Sequence, residues 1–238
     1  MTAVVVLLLS VGCAGAPGVE FSTSASQPIV SYVRTVALPP EYSPTSPEFI
    51  VYGDGTAYRR EGRMSYFKGT MTPVQIKTLA QSIVDKGFFT MSRTTSRMLP
   101  GGAVDHVTLT LKSRSSSVER PSDTGGAFGQ IVREVQDYRI PGEKEYLPDR
   151  ITLYATEAAP GEQVDKVIDW TADPGPLVAA ANAHSSVTVG TQVTGVQAQQ
   201  VWKLLAGASG EKGTVGWRAG GKTYVHVYAD PFFPAPGV

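Results

Sequence analysis

Four side chains have the chemical types that most often carry catalysis or metal binding: a single cysteine, Cys13, and three histidines, His106, His184 and His226. No histidine has a second histidine or cysteine at the i, i+2 or i, i+4 spacing that brings two ligands to one metal ion. A lone cysteine also excludes an intramolecular disulfide and a CxxC metal site. The sequence therefore predicts no bound metal, no cofactor and no assigned catalytic residue.

A hydrolase is the alternative, and it depends on residues that are far apart in the sequence. Asp105 and His106 are neighbours on a predicted strand, so their side chains point to opposite faces and form no dyad within that strand. His226 lies on another predicted strand near the C-terminus. An active site near His226 and Asp105 requires the fold to bring these residues into one cleft with a nucleophile.

The C-terminal aromatic residues give a candidate binding surface. By strand alternation, His226 shares a face with Tyr224 and Tyr228, and Trp217 lies on the preceding strand of the same predicted hairpin. Such a face can stack on sugars or peptide segments. The alternative is that these rings form the core of the last hairpin.

Cys13 follows a segment with the character of an export signal. The apolar run from Ala3 to Leu9 and the small residues after it make a core of about ten residues, which fits a signal and is shorter than the roughly 20 needed to span a bilayer. Residues 14–27 are rich in small and polar side chains, as is typical of a flexible tether. Simple secretion, or a buried thiol in an apolar terminus, are the alternatives.

The run Leu9-Ser10-Val11-Gly12-Cys13 resembles the bacterial lipobox, in which a small residue precedes a cysteine that is acylated. The resemblance implies a signal peptide over residues 1–13, diacylation of Cys13 and cleavage that makes Cys13 the new N-terminus. It also implies a lipid-anchored, extracytoplasmic protein at the cell membrane.

Composition favours a globular body with no net charge. The chain is 42% hydrophobic and 18% charged, with 21 basic and 21 acidic residues, so the neutral balance argues against nucleic acid as a partner. The charge is uneven, because residues 59–114 carry ten Lys and Arg against three acids, a net of +7. This run either faces an anionic partner or pairs with acids elsewhere in the fold.

The elements that must position these residues are short strands, hairpins and helices. In the first half, Gly53-Asp54-Gly55 between two β-rich runs predicts a hairpin, and Thr72-Pro73-Val74-Gln75 predicts a capped helix that ends at Gly87. Strands are also predicted at residues 29–38, 64–70 and 104–111, with a second helix after Gly125-Gly126. The polar, proline-containing stretch from Ile140 to Pro148 predicts the main boundary.

The second half repeats this style. A strand from Ile151 is predicted to pair with residues 164–170, and Val187 and Val189 suggest a further strand. Thr194-Gly195-Val196-Gln197 matches Thr72-Pro73-Val74-Gln75 in three of four positions. Duplication of one unit explains this match, and so does independent use of the same helix-cap chemistry. We therefore expect an α+β fold of two similar halves, residues 28–140 and 141–238, with antiparallel hairpins and helices packed on one side.

In style, the chain resembles exported lipoproteins of actinobacteria and other GC-rich bacteria. The resemblance is carried by the hairpin from Phe49 to Gly55, the helix start Thr72-Pro73 and the Trp-bearing hairpin from Trp217 with its proline-rich tail. It implies an envelope location and no particular activity. The leading expectation is a membrane-anchored, non-enzymatic module that binds an envelope protein, a polymer or a lipid.

Overall fold

Two sheets with helices packed against them make up the described part of the chain. The computed structural model describes residues 19–36, 46–62, 64–93, 102–183, 190–211 and 213–233. Over these residues it has four α-helices and twelve strands, so the predicted α+β class is confirmed. Cys13, His184, the strand suggested at Val187 and Val189, and the tail after Phe233 lie outside the described residues.

The first sheet contains seven strands in the order β6-β5-β1-β2-β3-β4-β7, and each neighbouring pair is antiparallel. Alternate residues of a strand point to the same face of a sheet. On one face of this sheet, such side chains form a core together with apolar side chains from two helices. The elements are β1 (Pro28–Val36), β2 (Phe49–Tyr52), β3 (Thr56–Arg60), β4 (Tyr66–Thr70), α1 (Pro73–Asp85), β5 (Ala103–Thr110), β6 (Ser115–Pro121), α2 (Gly126–Gln136) and β7 (Lys144–Glu145).

The predicted hairpin between β2 and β3 is present and has a defined turn chemistry. The Asp54 carboxylate accepts hydrogen bonds from the Thr56 amide at 2.8 Å and the Thr56 hydroxyl at 2.9 Å. Gly55 has φ +92°, a backbone conformation that side chains with a Cβ rarely adopt. The Asp-Gly pair thus forms the turn in two ways. The Asp54 carboxylate accepts hydrogen bonds from Thr56, and Gly55 adopts the positive φ that the turn needs.

Residues 19–27, assigned to the tether from the sequence, lie against the first sheet. Val19 is 5% exposed and belongs to the first core. The Lys112 amide donates to the Glu20 carbonyl at 2.8 Å, and the Gly53 amide donates to the Gln27 carbonyl at 3.1 Å. A Cβ at Gly53 would overlap the backbone of Ser22, so glycine permits this close approach. The tether assignment is thereby corrected for residues 19–27.

Helix α1 begins with the predicted capping box. The Gln75 amide donates to the Thr72 hydroxyl at 3.3 Å, and the Thr72 amide donates to Gln75 Oε1 at 2.8 Å. The matching Thr194 does not cap the later helix α4 (Gly195–Ala208) through its side chain, so the two helix starts differ in cap chemistry. Thr194 instead ends a strand, and Gly195 turns the chain with φ +64°.

This difference gives a matched test of the capping box. We expect Thr72→Ala to lower the free energy of unfolding by about 1 kcal/mol, because one hydroxyl acceptor for the first-turn amides is lost. Thr194→Ala, the control, should change it by only a few tenths of a kcal/mol. Urea unfolding midpoints of both variants measure the effect; equal shifts would contradict the assigned cap.

The second sheet has five strands in the order β10-β8-β12-β11-β9. Residues 166–169 were expected to pair with the strand from Ile151, but they pair in parallel with residues 215–218 instead. The pairing is non-local, because two helices and one strand lie between the two partners in the chain and provide the long crossover that a parallel pair needs. The elements are β8 (Arg150–Glu157), β9 (Lys166–Asp169), α3 (Gly175–Ala183), β10 (Thr191–Thr194), α4, β11 (Val215–Ala219) and β12 (Lys222–Pro231).

Aromatic side chains join the two sheets. On the face of the first sheet opposite α1 and α2, Tyr58 makes edge-to-face contacts with Tyr146 and Phe233, at centroid distances of 4.9 and 5.0 Å. Tyr66 of β4 packs against Trp202 of α4 at 5.8 Å and belongs to the second core. Strand β7 follows Ile140, where the main boundary was predicted, yet it pairs with β4 in the first sheet. The sheets therefore share buried surface.

Candidate binding cavity

A bulge in β12 sets the backbone around His226. Val225 lies opposite Thr156, and Tyr228 lies opposite Tyr154, so β12 uses one more residue than β8 over this interval. His226 has φ +52°, the only positive φ of a non-glycine residue among those described. Bulges re-aim side chains, and a residue held in the left-handed region costs about 1–3 kcal/mol unless its surroundings fix it.

The bulge corrects the predicted face. Strand alternation places His226 with Tyr224 and Tyr228, but an extra residue breaks that alternation. Tyr224 is 2% exposed and Trp217 is 3% exposed, and both belong to the second core. Trp217 also contacts Trp170 edge-to-face at 5.5 Å. These two rings therefore form part of the core of the last hairpin, which is the alternative to an exposed binding face.

A cavity of about 200 Å³ lies beside the bulge. Its floor contains apolar residues of the second core, and its rim contains hydroxyl, imidazole and carboxylate groups. Three of the four predicted surface residues, Trp217, His226 and Tyr228, line it together. The other lining residues are Met64, Leu205, Ala208, Ser209, Glu211, Gly213, Thr214, Val215 and Val227.

Charged groups stand at this cavity. His226 Nε2 lies 3.9 Å from Glu162 Oε1, and the His226 side chain is 39% exposed. Glu211 at the rim forms an ion pair with Lys166 of β9. The sequence offered no signal for Glu162, because it comes from the loop between β8 and β9 and approaches His226 only through the sheet pairing. The lining thus includes the His226 imidazole and the Glu211 carboxylate, and the Glu162 carboxylate approaches His226 from outside the lining.

Tyr228 connects the cavity to the outer face of the second sheet. Its ring stacks on Tyr154 with centroids 4.6 Å apart and an interplanar angle of 10°. Burial raises the pKa of Tyr154, and the nearby Asp230 carboxylate adds to the rise. The Tyr154 hydroxyl therefore stays a neutral hydrogen-bonding group at physiological pH.

Asp105 and His106 lie elsewhere, in the first sheet. Asp105 is 1% exposed and accepts hydrogen bonds from the Tyr32 hydroxyl at 2.9 Å and from Arg34 Nε at 2.8 Å. Burial raises the pKa of Tyr32, and Asp105 raises it further. His106 lies opposite Val33 and Glu119 in the ladder. The structure does not bring Asp105 to His226, because they belong to different sheets.

Two short motifs have the residue spacing of a phosphate-binding loop and of a catalytic Ser-Lys pair, but their backbone conformation does not fit either site. Residues 216–223 match the phosphate-loop pattern G-x-x-x-x-G-K-T, yet they form the tight hairpin of β11 and β12 with no helix after Lys222. A phosphate loop needs that helix N-terminus. Ser65 and Lys68 have the Ser-x-x-Lys spacing, but Lys68 lies on strand β4, where a three-residue step reverses the face.

Part of the basic run of residues 59–114 is matched by acids from outside it. Four of its ten cations form ion pairs with glutamates beyond this stretch of sequence, so this part of the run is paired within the fold. The pairs are Arg59–Glu143, Arg60–Glu48, Lys86–Glu134 and Lys112–Glu20.

Comparison of the chain with models of protein families, with curated proteins and with solved structures gave no match. Within the described ranges, no group of three or more His, Cys, Asp or Glu side chains is arranged to hold a metal ion. No helix in the described part of the chain is both long and apolar enough to cross a membrane.

Proposed function

We propose that this protein is a membrane-anchored cell-envelope lipoprotein that acts as a non-enzymatic binding module. The acyl chains on Cys13 hold it at the membrane, and the cavity beside His226 binds the partner. The observation that carries the proposal is the left-handed φ of +52° at His226 in the cavity wall. Such a conformation in a non-glycine residue is concentrated at ligand sites, where the strain serves binding.

The size and lining of the cavity favour recognition of one small group on a larger partner. About 200 Å³ is below the roughly 300–1,000 Å³ of sites that enclose whole small molecules. It suits a single amino-acid side chain or one sugar ring. Trp217 supplies an apolar wall, while His226 and Thr214 supply hydrogen-bonding groups that can fix orientation.

The hydrolase alternative has one specific observation in its favour, the approach of Glu162 to His226. A carboxylate beside an imidazole can orient a general base. Asp105 takes no part in such a site, because its carboxylate accepts from Tyr32 and Arg34 in the other sheet. The hydroxyl groups of Ser209 and Thr214 line the same cavity.

The anchor is tested by fractionation of cells that express the full chain. We expect Cys13→Ser to move the protein from the membrane fraction to the soluble fraction, because two acyl chains anchor firmly and their loss removes the anchor. Gly12→Ala is the matched control, since it keeps a small residue before the cysteine and should remain with the membrane. Equal membrane retention of Cys13→Ser would refute the anchor.

The cavity is tested by ligand-observed NMR with a panel of free amino acids, dipeptides and N-acetylated monosaccharides. We expect His226→Gly to fold as stably as the wild type, because glycine accepts the left-handed φ, and to lose binding. Val196→Ala, at an exposed position of α4, is the control and should bind normally. Equal binding by His226→Gly would remove the cavity from the proposal, and ester or peptide turnover lost in that variant would establish the hydrolase instead.

A further inference from the structure

The described chain starts on one end of the first sheet, and that position constrains how an anchored protein meets the membrane. Val19 is buried in the first core, and the Glu20 carbonyl accepts from the Lys112 amide. Lys112 belongs to the turn between β5 and β6. The chain therefore leaves the body towards Cys13 directly beside this turn.

The reach of the chain from Val19 back to Cys13 is short. These residues are six positions apart in the sequence. A fully extended chain spans at most about 3.6 Å per residue, or roughly 22 Å over this interval. With the acyl chains of Cys13 in the bilayer, Val19 lies within this distance of the lipid headgroups.

The surface at this end has the chemistry of a headgroup contact. Lys112, Ser113 and Arg114 are exposed at the tip of the β5–β6 turn. The Lys112 side chain is 62% exposed, although its ammonium lies 3.5 Å from the exposed Glu20 carboxylate. Arg114 lies over the ring of Phe89 at 3.8 Å, which holds its guanidinium in place.

A groove runs beside this tip, and Val19, Val84 and Leu111 line it together with Glu20 and the tip residues. Two cations and one carboxylate beside apolar side chains leave a net positive charge, which suits the boundary between acyl chains and phosphates. Each Lys or Arg held near an anionic membrane surface contributes about a fivefold gain in binding. Two such residues bind a membrane only weakly by themselves, but they are sufficient to orient a protein that is already anchored.

We propose that the tip formed by Lys112, Ser113 and Arg114 rests on anionic lipid headgroups and sets the orientation of the anchored protein. This inference rests on the proposed anchor at Cys13. The body then stands on the membrane with the β5–β6 end of its first sheet, and the Lys112 and Arg114 side chains contact lipid phosphates.

The test uses full-length protein attached through Cys13 to vesicles that contain a lipid with a photoreactive headgroup. Attachment is by the native acyl chains or, if mass spectrometry finds Cys13 unmodified, by coupling its thiol to a maleimide lipid. A missing acyl group thus defeats the proposed function, while the orientation is still measured. Cross-linked residues are mapped by mass spectrometry in vesicles of phosphatidylcholine with equal parts of phosphatidylglycerol.

We expect cross-links to concentrate at residues 112–114 and to be sparse in the exposed turn at residues 159–161. Lys112→Glu/Arg114→Glu should reduce the 112–114 cross-links by about tenfold or more, and vesicles of phosphatidylcholine alone should do the same. Lys77→Glu/Lys203→Glu changes the net charge equally at other exposed positions and should leave them unchanged. An even distribution between the two turns, or no effect of the 112/114 reversal, would overturn the inference.

Discussion

Replacing Gly55 with valine is expected to lower the free energy of unfolding by about 3 kcal/mol or more. Two costs add at this position. A β-branched residue at φ +92° carries a backbone penalty of roughly 1–2 kcal/mol. A Cβ at Gly55 would also lie under 3.0 Å from the Met71 carbonyl oxygen, so backbone must move. Displacing packed backbone typically costs a further 1–3 kcal/mol, about as much again.

The contacts around Gly55 leave the turn little room to move away from the Met71 carbonyl oxygen. The Met71 amide donates to the Gly55 carbonyl at 2.8 Å, which ties the hairpin turn to the segment that enters α1. Movement of the turn therefore breaks a hydrogen bond as well as the β2–β3 pairing. Urea unfolding followed by circular dichroism measures the loss.

Gly62→Ala provides the matched control for this prediction. Gly62 also has a positive φ, +78°, but a Cβ there would meet no atom within 4 Å. It should cost only about 1 kcal/mol, from the backbone term alone. A Gly55→Val midpoint no lower than that of Gly62→Ala would show that the close approach to Met71 is absent.

Replacing Asp105 with alanine is the second change with a large expected effect, a loss of about 3 kcal/mol. Removal of one partner from a buried ion pair is strongly destabilising, because the other charge keeps its desolvation cost. Here the Tyr32 hydroxyl and the Arg34 guanidinium both lose their acceptor. The Arg34 side chain is 32% exposed, so water partly compensates it and keeps the loss at the lower end of the 3–5 kcal/mol range, about 3.

Asp169→Ala is the control for Asp105→Ala. Asp169 also accepts from an arginine, Arg218, at 2.7 Å, but both side chains are more than half exposed. Solvent screens an exposed ion pair and leaves it little net stability, so the loss should be small. Thermal unfolding of both variants under one buffer condition compares them. A loss for Asp105→Ala as small as that for Asp169→Ala would mean that the Asp105 network does not stabilise the first sheet.

The fold was predictable from the sequence where the signals are local. The Gly53-Asp54-Gly55 turn and the Thr72 capping box each depend on a few adjacent residues, and both are present as predicted. Pairings between distant segments were not predictable. The parallel pairing of β9 with β11 depends on which partner is free after the chain folds back, and no residue within β9 encodes that choice.

In the candidate site, the sequence-based assignment of strand faces was wrong at a single residue, His226. His226, Trp217 and Tyr228 were identified from the sequence, and they do line one cavity. Strand alternation failed at His226 because one extra residue shifts the register, and a histidine gives no sign of a left-handed backbone as glycine does. Tyr224 keeps the alternation of the regular strand and is buried.

In the lipid-anchored form that we propose, the docking of residues 19–27 on the body gives the protein a graded response to pulling. Tension from Cys13 first meets a segment held by the Glu20–Lys112 and Gln27–Gly53 backbone hydrogen bonds, which separate one at a time. Release of these bonds frees nine residues, which lengthens the connection between Cys13 and the folded body by up to about 30 Å. The load then reaches β1, which lies between β2 and β5 and must slide along both neighbours. The outer segment thus yields before the sheet is loaded.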